Sequence, residues 1–276
     1  MTEAGSAAIV VGMGGIHDPV DRRTFFGLLA IGLASVVAGC ANPAGNQPPQ
    51  TPAAAPPHNW DTPVPPAPEG GPTRVLSHGP PGTDKIALTV DDGYNDMVVT
   101  GYVDFAVRTG IHLTFGPNGT YAHAWAPHAD QLRPLVERRQ VQIINHTFSH
   151  LDLRRMTDAQ IRAELERNED WVTRTFRTST KPYYRPPFGF HNEHIDGVAN
   201  EIGYRNTVLW NGTYGDSEPI TPAYLMTQAR KYLRPGTIML GHANHPAILG
   251  LFDQITELIR QRNLTPATLN ELLATP

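Results

Sequence analysis

The sequence predicts an α/β fold for residues 73–276, a distorted (β/α) barrel of about seven strands. Three observations predict it. Short apolar runs recur at 85–90, 112–115, 141–144, 183–185, 204–209 and 237–240. Helical stretches separate them at 96–108, 157–176, 193–202, 222–232 and 249–262, and such alternation implies a parallel sheet with helices outside. Polar, chemistry-bearing residues follow several of the apolar runs directly, as they do where a parallel barrel carries its site at the carboxyl ends of the strands.

The chain before this body reads differently. Residues 1–39 look like an export signal. Arg22 and Arg23 precede an uncharged run of 15 residues from Phe25 to Gly39, which is shorter than the roughly 20 residues that span a bilayer. The run ends in Val37-Ala38-Gly39-Cys40, small residues before the only cysteine of the chain, similar to a bacterial lipobox with lipid carried on Cys40. The arginine pair resembles a twin-arginine signal, with the general secretion route as the alternative. Residues 40–72 continue as a lipidated cysteine and a tether; of the 31 residues from 42 to 72, 11 are proline. That composition favours extended, polyproline-like chain, which at about 3.1 Å per residue reaches roughly 90 Å. These features place the protein outside the cell, anchored at the outer face of a bacterial cytoplasmic membrane, in the envelope.

In the body, the clearest helix is 157–176. Thr157 and Gln160 stand in capping-box spacing, and Ile161, Leu165, Val172 and Phe176 mark an apolar face. Net charge is −4 with both signs interspersed and no basic block, which argues against a nucleic-acid partner. Nothing in the sequence points to an obligate protein partner. With Cys40 spoken for, the body has no disulfide and no thiolate metal site, so a metal must be held by histidine and carboxylate.

Four motifs carry candidate chemistry. The first apolar run ends in Asp91-Asp92-Gly93; two adjacent carboxylates repel each other unless a cation or base separates them, and the plainer reading is a polar turn. The third leads into His146-Thr147-Phe148-Ser149-His150, two histidines at i and i+4 that can share a metal from a helical turn. An aspartate and two histidines leave an open position for water, the pattern of a catalytic zinc. Arg185-Pro186-Pro187-Phe188-Gly189 offers a guanidinium for a carboxylate beside a rigid turn, or simply a surface arginine. Gly241-His242 ends the sixth run, where a histidine can be a general acid or base, or a satisfied core residue. Trp125, Tyr121 and Tyr94 are candidates for stacking on sugars, or are core or rim aromatics.

Together and in this order, the motifs resemble the polysaccharide deacetylases of carbohydrate esterase family four, the NodB-homology domain. The resemblance covers about residues 84–273. It is carried by Thr89-Val90-Asp91-Asp92-Gly93, by the His146–His150 motif, by the Arg185 motif, and by Ile238-Met239-Leu240-Gly241-His242. The fourth motif departs from the pattern: Asp216 is kept, but Ser217 stands where the family has Trp, and Thr213 replaces a further Asp. The resemblance implies a NodB-like barrel and one divalent metal ion, zinc first and cobalt or another divalent ion as alternatives, held by Asp92, His146 and His150. It implies Asp91 as general base, Arg185 as its partner, His242 as the acid for the leaving amine, and Asp216 as the group that orients His242. A backbone N–H, assigned to Phe188, meets the oxyanion, and Leu240 lines the acetyl pocket. The implied activity is removal of N-acetyl groups from an envelope polysaccharide, peptidoglycan or another GlcNAc-containing glycan, with release of acetate. The rival readings are an O-acetyl esterase on a xylan-like glycan and a catalytically silent glycan-binding lipoprotein.

Overall fold

The computed structural model describes residues 71–274. The export signal, Cys40 and the tether up to residue 70 lie outside the described residues.

The strands are β1 (Arg74–Leu76), β2 (Lys85–Asp92), β3 (Leu113–Pro117), β4 (Val141–Ile143), β5 (Tyr183–Tyr184), β6 (Asn206–Val208), β7 (Gly212–Thr213), β8 (Ile238–His242) and β9 (Thr265–Ala267). Their α-helical partners are α1 (Asp96–Thr109), α2 (Ala122–Trp125), α3 (Ala129–Glu137), α4 (Asp158–Phe176), α5 (Glu193–Glu201), α6 (Pro222–Tyr232), α7 (Phe252–Gln261) and α8 (Leu269–Leu273). All six predicted strands and all five predicted helices form, with ends displaced by a few residues. β1, β7, β9, α2, α3 and α8 were not anticipated. In α3 the internal Pro134 hides the helix from a pattern reading, because proline removes one backbone donor and normally ends a helix.

Every strand ladder is parallel. One sheet runs β4-β3-β2-β8-β7, with β9 beside β2, and the other runs β1-β6-β5. A single parallel bridge, Asn145 to Tyr184, joins the sheets at one seam. At the other, Gly79 N donates to the Gly236 carbonyl at 2.7 Å, and His78 bridges Thr237. The strands thus surround one interior as a distorted barrel whose ladder is not continuous.

Alternation along β2 sets the layers. Ile86, Leu88 and Val90 join the large cluster packed under α1, α3, α6 and α7, while Ala87 belongs to the separate cluster with Ile144, Tyr183, Val208, Ile238, Leu269 and Leu272. Thr89 and Asp91 share the parity of Ala87 and carry the interior column toward the carboxyl end. α4 behaves as its sequence predicts: the Thr157–Gln160 capping box is formed, and Ile161, Leu165, Val172 and Phe176 are buried. Each such side chain contributes about 1.5–3 kcal/mol of apolar burial relative to exposure.

Candidate active site

Arg185, at the end of β5, is fully buried and crosses the interior to the end of β2. Its Nη1 donates to Asp91 Oδ1 at 2.9 Å and to Thr89 Oγ1 at 3.0 Å, and its Nε donates to the Val208 carbonyl at 3.3 Å. A buried charge is tolerable only when paired and hydrogen-bonded, and Asp91 and Arg185 meet that condition through each other. Thr89, on the same face, passes its own hydroxyl proton to the Met239 carbonyl at 2.7 Å, so the arginine fork rests on a satisfied acceptor.

Asp92 leaves the strand alternation. Its φ is +66°, in the left-handed region that costs a non-glycine residue about 1–2 kcal/mol. Its carboxylate then comes to the two histidines, with Oδ1 3.4 Å from His146 Nε2 and 3.5 Å from His150 Nε2. His146 Nδ1 lies 2.8 Å from the Arg185 carbonyl, which can only accept; the ring proton therefore sits on Nδ1 and the lone pair on Nε2.

The sequence suggested that the histidines share a helical turn, and the structure corrects this. Residues 146–150 form no helix; Thr147 and His150 have φ of +64° and +54°. Side chains hold this turn. Thr147 N donates to Asn145 Oδ1 at 2.9 Å, Ser149 N to Glu164 Oε2 at 2.7 Å, and His150 N to Thr147 Oγ1 at 3.2 Å. Asn118 Nδ2 donates to the carbonyls of His146 and Thr147, at 2.5 and 3.0 Å. Asn168 of α4 links the same region, accepting from Gly119 N and donating to the Pro117 carbonyl and to Asn145 Oδ1. None of these supports was anticipated; asparagines scattered over the sequence give no local signal of convergence.

The trio fits a divalent cation. One ligand atom from each of Asp92, His146 and His150 lies within 4.8 Å of the others. Asp92 Oδ1 is buried and, among the described residues, aligned for a hydrogen bond with none. Tetrahedral ligands about 2.0–2.2 Å from one ion stand about 3.3–3.6 Å apart, and the two measured carboxylate-to-imidazole separations are 3.4 and 3.5 Å. Oxygen and nitrogen donors of this kind suit zinc among the divalent ions.

Electrostatics agree with that use. Burial opposes ionisation of Asp92, but His146 and His150 outweigh it and hold the carboxyl well below the usual carboxylate range. Burial, then the neighbouring His146, pushes His150 down to about 4, which keeps its imidazole neutral near pH 7. Burial would lower His146 too, yet Asp91 and Asp92 outweigh it and raise it, so a proton is the competitor of a cation at Nε2.

Opposite the trio, His242 ends β8. Its Nδ1 is 2.9 Å from Asp216 Oδ1, and its backbone N donates to Asp216 Oδ2 at 3.1 Å. Burial alone would lower the pKa of His242; the Asp216 hydrogen bond and charge outweigh it and raise it. Leu240, beside Thr89 and Thr213 in the ladder, is buried. Phe188 has φ of +61°, and its exposed ring packs edge-on against His150 at 4.7 Å between centroids. Ser217 is exposed.

The aromatic candidates separate. Trp125 is buried and donates Nε1 to the Asp92 carbonyl at 2.8 Å, so it props the cation site from below and is not a sugar platform. Tyr94 is exposed at the rim, edge-on to Tyr121 and to His245.

Comparison with known proteins agrees with this geometry. The polysaccharide deacetylase family model matches residues 78–207. That match ends before Asp216 and His242, which only the fold brings to the site. The peptidoglycan-N-acetylmuramic acid deacetylase PdaA of Bacillus subtilis is 28% identical over 183 residues, 64% of this chain and 66% of that protein. This chain therefore spans just under two thirds of that relative's length. The solved structure of the same protein, described as a family 4 carbohydrate esterase, superposes with a TM-score of 0.62 at 25% identity, covering 72% of this chain and 84% of the other. A pseudoenzyme of the same esterase family from Bacillus anthracis superposes with a TM-score of 0.64 at 16% identity, covering 73% and 69%, and shows likeness of fold alone.

Proposed function

We propose, on the match of residues 78–207 to the polysaccharide deacetylase family model, that this protein is a metal-dependent hydrolase that removes N-acetyl groups from an envelope glycan and releases acetate. Peptidoglycan or another GlcNAc-containing polysaccharide is the substrate. The observation that carries the proposal is the juxtaposition of a cation-ready trio, Asp92, His146 and His150, with the Asp91–Arg185 pair, 3.6 Å from His146 Nε2 through Asp91 Oδ2.

Asp92, His146 and His150 would hold a divalent cation, zinc first, which would supply Lewis-acid polarisation of the acetyl carbonyl. The chain's own groups carry the protons. Asp91 keeps Oδ1 on Arg185, which leaves Oδ2 facing the cluster to take a proton from the attacking water. His242, held by Asp216 through Nδ1, presents Nε2 to protonate the amine as the carbon–nitrogen bond breaks. The Phe188 N–H serves the oxyanion, since neither Pro186 nor Pro187 has a donor, and Leu240 bounds the space for the methyl group. The exposed Tyr94, edge-on to the half-buried Tyr121, offers an aromatic edge to the sugar chain. Lipid on Cys40 and the proline-rich tether would hold the domain at the outer membrane face, within reach of the wall.

The second reading is a catalytically silent glycan-binding domain. Against it, Asp91 keeps its hydrogen bond to Arg185 and His242 its hydrogen bond to Asp216, the two pairs that a base and an acid require. Incubation of zinc- or cobalt-loaded protein with peptidoglycan, chitooligosaccharides and acetylated xylan separates the readings. Acetate from the first two supports the proposal; acetate from xylan alone supports an O-acetyl esterase; none from any supports the silent domain.

A further inference from the structure

The loop after β8 grips the loop after β2 one residue at a time. Ala243 N donates to the Asp91 carbonyl at 2.9 Å. Asn244 Nδ2 donates to Asp92 Oδ2 at 2.8 Å, while Asn244 Oδ1 accepts from Gly93 N at 3.2 Å. His245 meets the Tyr94 hydroxyl at 2.9 Å. Of these four contacts only that of Asn244 Nδ2 reaches the carboxylate of the cation trio. Asn244 is buried, and both ends of its amide are used on consecutive residues of one loop, which fixes the amide's orientation.

We propose that Asn244 is a positioning residue for the cation site: it occupies Asp92 Oδ2 and thereby commits Oδ1 alone to the face shared with His146 and His150. The inference rests on the metal-dependent reading above and adds the residue that enforces it. Asp92 sits in a left-handed conformation that is unfavourable for an aspartate and persists only where its surroundings over-determine it. Two groups do so, Trp125 Nε1 on its carbonyl and Asn244 Nδ2 on its carboxylate. A carboxylate free to rotate would present either oxygen to the cluster and lose side-chain entropy on binding; one already hydrogen-bonded through Oδ2 does not. The amide is neutral, so it orients Asp92 without adding charge.

The test measures Zn²⁺ affinity of the full chain by competition with a chromogenic chelator, a readout independent of turnover. Asn244→Ala is expected to weaken Zn²⁺ binding about 10- to 100-fold, the range for loss of a group that orients a ligand. His245→Ala, which breaks the neighbouring contact of the same loop but none to Asp92, is expected to leave the affinity within twofold. Asn244→Leu keeps the volume without the donor and serves if the alanine variant does not fold. Zn²⁺ affinity unchanged in a folded Asn244 variant overturns the assignment, as does equal loss in His245→Ala or failure of both Asn244 variants to fold. If the wild-type chain itself binds no Zn²⁺, it is the metal-dependent reading that falls.

Discussion

Asp91 and Asp92 are adjacent, alike in chemistry and both buried, yet the fold gives them different partners: Arg185 for the first, two imidazoles and Asn244 for the second. Damage to the fold would strike both alike, whereas separate roles predict a split. Asp91→Asn should retain its metal, read by mass spectrometry, while acetate release falls about 10²–10⁴-fold, as for loss of a general base. Asp92→Asn should lose metal as well as activity. Arg185 is tied to stability as much as to chemistry. Arg185→Ala leaves the Asp91 carboxylate buried without its cation and should cost about 3–5 kcal/mol in denaturant unfolding. For His242, Asp216 outweighs burial and keeps the ring protonated to higher pH than an ordinary histidine. Asp216→Asn removes that support and leaves burial, which favours the neutral ring. The alkaline limb of kcat/KM should therefore move to lower pH in Asp216→Asn, and an unmoved limb would exclude His242 as the acid. The sign for folding is the same: this pair stabilises the native state below the ordinary histidine range, and the contribution disappears as pH rises through the raised value.

At the scale of elements, strands and helices deliver site residues that their own sequences do not bring together. Strand 85–92 was legible from its apolar run and its terminal Asp-Asp-Gly, and β8 from its run and His242. The two-residue β7, and α3 with Pro134 inside, carry too little periodicity to be read, and tertiary packing decides them. The spacing of His146 and His150 was legible; the turn that aims them was not, since besides the adjacent Asn145 it depends on Asn118 after β3 and on Glu164 and Asn168 of α4, which only the fold brings to it. α4 is the main external support of that turn. Asn168→Ala should leave Gly119 N and the Pro117 carbonyl without this partner, while Asn145 Oδ1 keeps only Thr147 N. A destabilisation of at least about 1–3 kcal/mol is expected in urea unfolding, with weaker metal retention. A variant as stable as wild type would mean that the turn is held by its own residues.

For the whole molecule, the parallel barrel follows from alternation of strand and helix, and its interior column ends in Asp91 because period two puts Ala87, Thr89 and Asp91 on one face. What the alternation cannot give is the exception, the left-handed Asp92, with Trp125 as its prop in place of the sugar platform its sequence position suggested. Because the trio draws on β2 and on the segment after β4, a bound ion should tie the sheet together and raise its stability. At a free Zn²⁺ concentration 100 times Kd the gain is about 2.7 kcal/mol, or roughly 5–10 °C in Tm, reversed by chelator. The most direct test of the central claim, metal-dependent deacetylation by this constellation, is acetate release from peptidoglycan and chitooligosaccharides by chelator-stripped protein before and after Zn²⁺ is restored, with Asp91→Asn alongside. The account predicts acetate only from the restored wild type, with the variant binding Zn²⁺ yet nearly inert; equal release by stripped and restored protein, or by wild type and variant, would contradict it.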